Sequence, residues 1–166
     1  MRILVFSDNH RNKDNVNTII SQNPEIDRII SLGDSEMTES DLTALNIIGV
    51  KGNFPFEPKF PLELNFNFEG VHIFFTHGHL YHVKLGLSRL INNAKYRDFD
   101  MVCFGHTHRS YLEEIEGLIV FNPGSLSSHR SFEAPTYGVI EIDELMIKIT
   151  IFDLKKKKVK SLIKKR

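Results

Sequence analysis

The sequence predicts an α/β protein in which two mixed β-sheets pack face to face, with helices outside. Three observations predict it. Continuous apolar runs alternate with helical spacing over the first 50 residues, which implies parallel strands joined by crossover helices. After Pro61 the period switches to strict alternation of apolar and polar residues, the mark of a half-buried hairpin. Short groups of Gly, Asp, Asn and His recur where the apolar runs end.

Residues 2–6 are apolar after Arg2, as expected for a strand buried on both faces. Residues 12–22 read as a helix with Val16, Ile19 and Ile20 on one face, and Asn23-Pro24 ends it. Residues 27–32 form the next strand, 39–45 a weaker helix and 46–50 a third strand. Leu62, Leu64, Phe66 and Phe68 alternate with Glu63, Asn65, Asn67 and Glu69, Gly70 turns the chain, and residues 71–76 return. Residues 83–97 are expected to be one helix, with Leu87, Leu90, Ile91 and Ala94 as its apolar stripe. Strands follow at 100–104, 110–115, 118–121, 137–142 and 145–152, with Asn122-Pro123-Gly124-Ser125 as a loop.

The chain has 166 residues and 41% hydrophobic content, which suits one domain with its own core. No apolar run reaches the ~18 residues of a membrane span. The N-terminal run is too short for a signal peptide, and one cysteine excludes an internal disulfide framework. A cytoplasmic address is expected, with no membrane partner. Cys103 lies mid-strand between Val102 and Phe104 and reads as a core residue.

The formal charge is zero, but it is unevenly spread. Residues 155–166 hold 8 basic residues and no acid, which leaves 13 basic against 21 acidic residues in the rest. One folded body at 1–154 and a basic C-terminal tail at 155–166 are the expected divisions. Val159, Leu162 and Ile163 fall at i, i+3, i+4, so the tail has the spacing of a short amphipathic helix. Such a tail is a solvated or packing segment, or a contact for nucleic acid.

The chemistry lies in the punctuation. Asp8-Asn9-His10, Gly33-Asp34, Gly52-Asn53, His77-Gly78-His79 and Gly105-His106-Thr107-His108 follow one another, each ending an apolar run. In open α/β sheets, ligands bind beyond the carboxyl ends of the strands. Gly-Asp or Gly-Asn alone is a common turn; the ordered combination is what points to a site. Asp8, His10, Asp34, Asn53, His77, His106 and His108 are candidate metal ligands. A mixed nitrogen and oxygen set suits Mn, Fe, Zn, Co or Ni better than Mg or Ca. The glycines at 33, 52 and 105 are expected to let the backbone turn sharply before each ligand.

This ordered set resembles the calcineurin-like metallophosphoesterase superfamily, and within it the small bacterial and archaeal phosphodiesterases of the YfcE/MJ0936 type. Thr76-His77-Gly78-His79 and Asn122-Pro123-Gly124-Ser125 carry the closer likeness. The resemblance implies a four-layer αββα sandwich and a metal-dependent phosphodiesterase with two divalent transition metals, manganese foremost. It implies that Asp8, His10, Asp34 and His108 hold one metal, and that Asp34, Asn53, His77 and His106 hold the other, with Asp34 bridging. A hydroxide between the metals would attack phosphorus in line. Many superfamily members carry His directly after the motif Asn, and the closer subgroup carries Cys-Asp; this chain has Phe54-Pro55-Phe56-Glu57. Leaving-group protonation is then expected to fall to His79, to His82 or to water.

Asn53 and Arg130 are expected to contact the substrate, with His129 beside them. Phe54 and Phe56 offer an apolar wall for a base, or simple packing. The Phe-rich stretch 54–60 reads as a rim or subunit contact that would support a homodimer or homotetramer. The expected partner is a phosphoester substrate, nucleotide-like in kind. Two rival functions stand beside the enzyme: a VPS29-like protein-interaction scaffold that uses the fold alone, and a nuclease or cyclic-nucleotide phosphodiesterase guided by the basic tail.

Overall fold

The computed structural model describes residues 1–56, 59–127 and 133–166. Alternation along the first strand sets the layers. In β1 (Arg2–Phe6), Ile3 and Val5 face one apolar cluster while Leu4 and Phe6 face another. β1 pairs parallel with β2 (Arg28–Ser31), which pairs parallel with β3 (Ile47–Gly49). The crossovers run through α1 (Lys13–Ser21) and α2 (Glu39–Ala44). Asn12 caps α1 by accepting from the Asn15 amide, and Thr38 caps α2 by accepting from Asp41.

The hairpin is β4 (Glu63–Phe68) against β5 (Val71–Thr76). β5 pairs parallel with β6 (Met101–Cys103), and β7 (Ser110–Ile115) forms a hairpin with β8 (Leu118–Pro123). The chain then returns to the first sheet through β9 (Thr136–Ile142), β10 (Met146–Asp153) and β11 (Lys158–Lys165). The sheet orders are β11-β10-β9-β1-β2-β3 and β4-β5-β6-β8-β7. Both sheets are mixed. One core lies between them, with Val5, Ile30, Phe75, Cys103 and Phe121. A second lies under α1 and α2 with Phe6, Val16, Ile19 and Leu42. A third lies under α3 (Ser88–Tyr96), where Phe74, Leu90, Ala94 and Val102 pack. The four-layer αββα arrangement follows directly from these three apolar layers.

Two elements differ from expectation. The helix expected over 83–97 begins only at Ser88. A 3-10 turn at His79–Tyr81 precedes it, and left-handed backbone at His82 (φ 54) and Gly86 (φ 144) keeps residues 83–87 out of the helix. The tail forms no amphipathic helix. Residues 158–165 are instead the edge strand β11, antiparallel to β10, with Leu162 packed on the inter-sheet core and Lys164 Nζ 3.3 Å from Glu114. An exposed edge tolerates lysines, because they keep the open strand from pairing with another chain. Among the described residues, no helix is long and apolar enough to cross a membrane.

Candidate metal centre

Five strands from both sheets end at one cleft. β1 delivers Asp8 and His10, β2 delivers Asp34, and β3 leads to Asn53. From the second sheet β5 delivers His77, and β6 leads to His106 and His108. The loops are cross-tied, with the Asp8 amide donating to Gly33 O, His10 to Asp34 O, and Gly105 to His77 O. Asp8, His10, Asp34, His106 and His108 all hold left-handed backbone, with φ between 43° and 65°. Non-glycine residues adopt that region at a cost, and such strain concentrates at functional sites.

Two of the three glycines act differently from expectation. Gly52 and Gly105 are needed for close approach and not for a turn. A Cβ on Gly52 would sit 2.0 Å from Asp34 Oδ1, and one on Gly105 would sit 1.9 Å from Ser7 Oγ.

The donors gather into two groups. Asp8, His10 and His108 place ligand atoms within 4.8 Å of one another, and so do Asp34, His77 and His106. In the first group His10 Nε2 is 3.3 Å from His108 Nε2, and His108 Nε2 is 3.1 Å from Asp8 Oδ1. In the second, His106 Nδ1 is 3.1 Å from His77 Nε2, which is 3.5 Å from Asp34 Oδ2 and 3.2 Å from Asn53 Oδ1. Asp34 converges only with this second group, whereas Asp8 Oδ1 also comes within 3.9 Å of His77 Nε2. Asp8 Oδ1 is fully buried and accepts no hydrogen bond. A buried carboxylate oxygen left without a donor, facing imidazole nitrogens, fits a cation better than a void.

Each donor is held from behind. Ser7 Oγ and the His106 amide donate to Asp8 Oδ2. The Phe54 amide donates to Asp34 Oδ1, and His77 Nδ1 binds Leu32 O at 2.7 Å. His10 Nδ1 meets Glu36 Oε1 at 2.8 Å, and Arg11 flanks the other Glu36 oxygen. Such contacts fix the ring and its tautomer.

Burial by itself would raise the Asp8 carboxyl, but His108 and His77 outweigh it and hold the group below its ordinary range. Burial likewise opposes the Asp34 carboxylate, yet His77 and the Phe54 amide bring it well below the usual carboxylate value. Burial disfavours charge on His77, but Asp34 and Asp8 more than offset it and raise its pKa. Burial, then His77 and Lys84, lower His106 to about 4. The carboxylates thus concentrate negative potential around His77, at the centre of the cluster.

His79 lies beside this second group, its ring centroid 5.4 Å from His77 and 6.1 Å from His106. Its Nδ1 is buried without a hydrogen-bond partner, and burial and His77 lower its pKa. The Phe54 ring packs edge-on against Phe56 at 5.8 Å with Arg11 beside it, so this residue serves the site through its backbone amide. Arg130 and His129 lie outside the described residues. Ser125 is buried, and its Oγ donates to Asp8 O, a brace beneath the ligand loop.

The cleft beside the donors encloses about 740 Å³. Sequence reasoning missed Glu36, Lys84, Arg109 and Tyr111. Glu36 follows Asp34 at the same spacing as His10 follows Asp8, a signal that was readable. Lys84, Arg109 and Tyr111 line the cleft and carry no motif.

The sequence model of the calcineurin-like phosphoesterase superfamily domain matches residues 1–145. The chain belongs to that superfamily. It is 30% identical to the probable metallophosphoesterase YsnB of Bacillus subtilis, over 92% of this chain and 91% of the relative. It is 26% identical to the phosphodiesterase MJ0936 of Methanocaldococcus jannaschii, over 87% and 95% of the two chains. The crystal structure of a conserved protein from Streptococcus pneumoniae TIGR4, described as a phosphoesterase by prediction, superposes with a TM-score of 0.86 at 25% identity, covering 99% and 97%. The expected fold and family are therefore both found.

Proposed function

We propose that this protein is a metal-dependent phosphoesterase of the phosphodiesterase kind, working with two divalent transition metals. The observation that carries the reading is the pair of adjacent donor groups, Asp8, His10, His108 and Asp34, His77, His106, at the strand ends. The mixed donor set favours manganese, with iron, nickel, cobalt or zinc as alternatives. Asp8, His10 and His108 would hold one ion, and Asp34, Asn53, His77 and His106 the other, with Asp34 as the shared carboxylate. When bound, such a pair lowers the pKa of water to near neutrality and neutralises charge on a phosphoryl group.

The remaining work belongs to the chain. Asp34 is fixed by the Phe54 amide, so replacing the usual residue after Asn53 leaves its orientation intact. Asn53 presents an amide at the cleft, able to hold a phosphate oxygen as well as an ion. His79, whose ring neighbours His77 and His106, is the proposed donor of a proton or hydrogen bond to the departing oxygen. Arg130 remains a proposed substrate contact. Every donor position is filled here, which favours the enzyme over a scaffold that uses the fold alone. A nucleotide-like substrate, a cytoplasmic address and a homo-oligomer through the Phe54–Phe56 rim, where Phe56 is exposed, belong to this same reading.

The test is elemental analysis of the purified protein together with hydrolysis of bis-p-nitrophenyl phosphate with and without Mn²⁺. Bound transition metal and metal-stimulated release of p-nitrophenol are expected. Protein that takes up no metal and gains no activity from it is not this enzyme.

A further inference from the structure

The cleft is larger than its chemistry requires. A phosphate at the donor groups would fill a small part of about 740 Å³, a volume in the range of sites for whole organic ligands. The rest is bounded by a different kind of surface. Leu87 and Tyr111 pack on the same apolar cluster as the buried Val83 and Phe104 and line the cleft, and Lys84 and Arg109 stand on the same cleft. The Tyr111 hydroxyl donates to Glu113 at 2.7 Å and its ring lies 6.5 Å from that of Phe104, so the aromatic part of the wall is held in place. Lys84 is exposed and, among the described residues, is in no hydrogen bond or ion pair.

Leu87 is the informative residue. It occupies the N-cap of α3, where its side chain caps nothing. Ser, Thr, Asp or Asn is the commoner residue at such a position. Leu87 packs on the apolar cluster under α3 and also lines the cleft.

We propose that this wall is a subsite for the planar organic arm of the substrate, so that the enzyme takes phosphodiesters bearing a nucleoside-like or aryl group, with Lys84 pairing with the phosphate. This rests on the phosphoesterase reading. Leu87 and Tyr111 act as specificity residues, contacting the arm by dispersion and burial, and Lys84 acts as a phosphate-binding cation.

The experiment pairs two diesters with the same leaving group, bis-p-nitrophenyl phosphate and methyl p-nitrophenyl phosphate, with calorimetric titration of adenosine 5′-monophosphate and of inorganic phosphate, all in Mn²⁺. The variants are Leu87→Ser and Lys84→Ala. Leu87→Ser removes the apolar contact while supplying a capping oxygen, so thermal melting separates misfolding from loss of the subsite. The wild-type protein should prefer the bis-aryl diester at least tenfold in kcat/KM. Leu87→Ser should cut that preference at least fivefold, through KM, and weaken the nucleotide more than phosphate. Lys84→Ala should raise KM for both diesters and weaken both titrated ligands about tenfold. Cleavage of both diesters without preference, with nucleotide affinity indifferent to Leu87→Ser, overturns the subsite and leaves the phosphoesterase reading standing. Leu87-dependent nucleotide binding without any cleavage supports the subsite and overturns the phosphoesterase reading. Neither cleavage nor nucleotide binding overturns both.

Discussion

His77 and His10 are both candidate ligands at strand ends, and they are held in opposite ways. His77 is fully buried and its Nδ1 reads a backbone carbonyl, Leu32 O. His10 lies nearer the surface and leans on a side chain, Glu36, which in turn meets Arg11. The same contrast runs through the two donor groups. In the deeper one the Phe54 amide fixes Asp34, so main chain does the orienting on both sides. In the outer one the His106 amide likewise holds Asp8, but His10 rests on the Glu36 carboxylate. A ring fixed by backbone keeps its tautomer as long as the fold persists, whereas one fixed by a carboxylate depends on that carboxylate's charge and position. The deeper group should therefore be the tighter and less adjustable site.

The most damaging way to probe this difference is at Asp34. Asp34→Asn keeps the shape and removes the charge that opposes His77. Metal content should fall, and turnover of bis-p-nitrophenyl phosphate should drop by about three orders of magnitude, ~4 kcal/mol of barrier. Elemental analysis sharpens the comparison. Loss of one ion confines Asp34 to the deeper group, as the donor spacing has it. Loss of both makes it the shared carboxylate. A variant that keeps two ions and full turnover would erase the contrast altogether.

Those candidate ligands were legible in the sequence because the chemistry restricts them to Asp, Asn and His, and because each follows an apolar run ending in a loop. The layers were legible for a similar reason: Ile3 and Val5 must oppose Leu4 and Phe6 if both faces of β1 are covered. Elsewhere the chain was silent or ambiguous. Val83, Leu87 and Tyr111 look like any core residues, and only the fold turns them onto the cleft. The break before Ser88 depends on positive-φ backbone at His82, which no residue type announces, and at Gly86, which was readable as a breaker. Val159, Leu162 and Ile163 satisfy a helical spacing, but β10 had an open edge, and pairing with it satisfied more backbone groups than an isolated short helix could. Glu36 was readable from its spacing and was missed because a carboxylate beside a ligand is easily taken for solvated surface.

His79 extends the comparison to a neighbour of the deeper group, its ring beside those of His77 and His106. The His79→Ala variant should retain both ions and lose about 10²-fold in turnover of diesters with alkyl leaving groups, the usual scale for one general acid. The loss should be smaller for p-nitrophenyl esters, whose leaving group needs no proton. Kinetics on the two ester types, with metal content measured on the same preparation, checks this. If an ion departs with the ring, His79 is a ligand and the deeper group has four side-chain donors besides Asn53.

The gentlest perturbation tests the contrast most directly. Glu36→Gln keeps a hydrogen-bond partner for His10 Nδ1 but withdraws the charge, and leaves Arg11 without its carboxylate. Loss of such a supporting contact costs ~10–100-fold in metal affinity, and because the amide can still accept a hydrogen bond the lower end is expected. The loss should fall on one ion only. Titration of Mn²⁺ into the metal-free variant should show one site weakened about tenfold and one at its wild-type affinity, because His77 draws its orientation from Leu32 O and not from Glu36. Equal weakening of both sites would mean that the groups are coupled through Asp8, whose Oδ1 faces nitrogens of each. In that case depth would govern access to the ions but not their affinity.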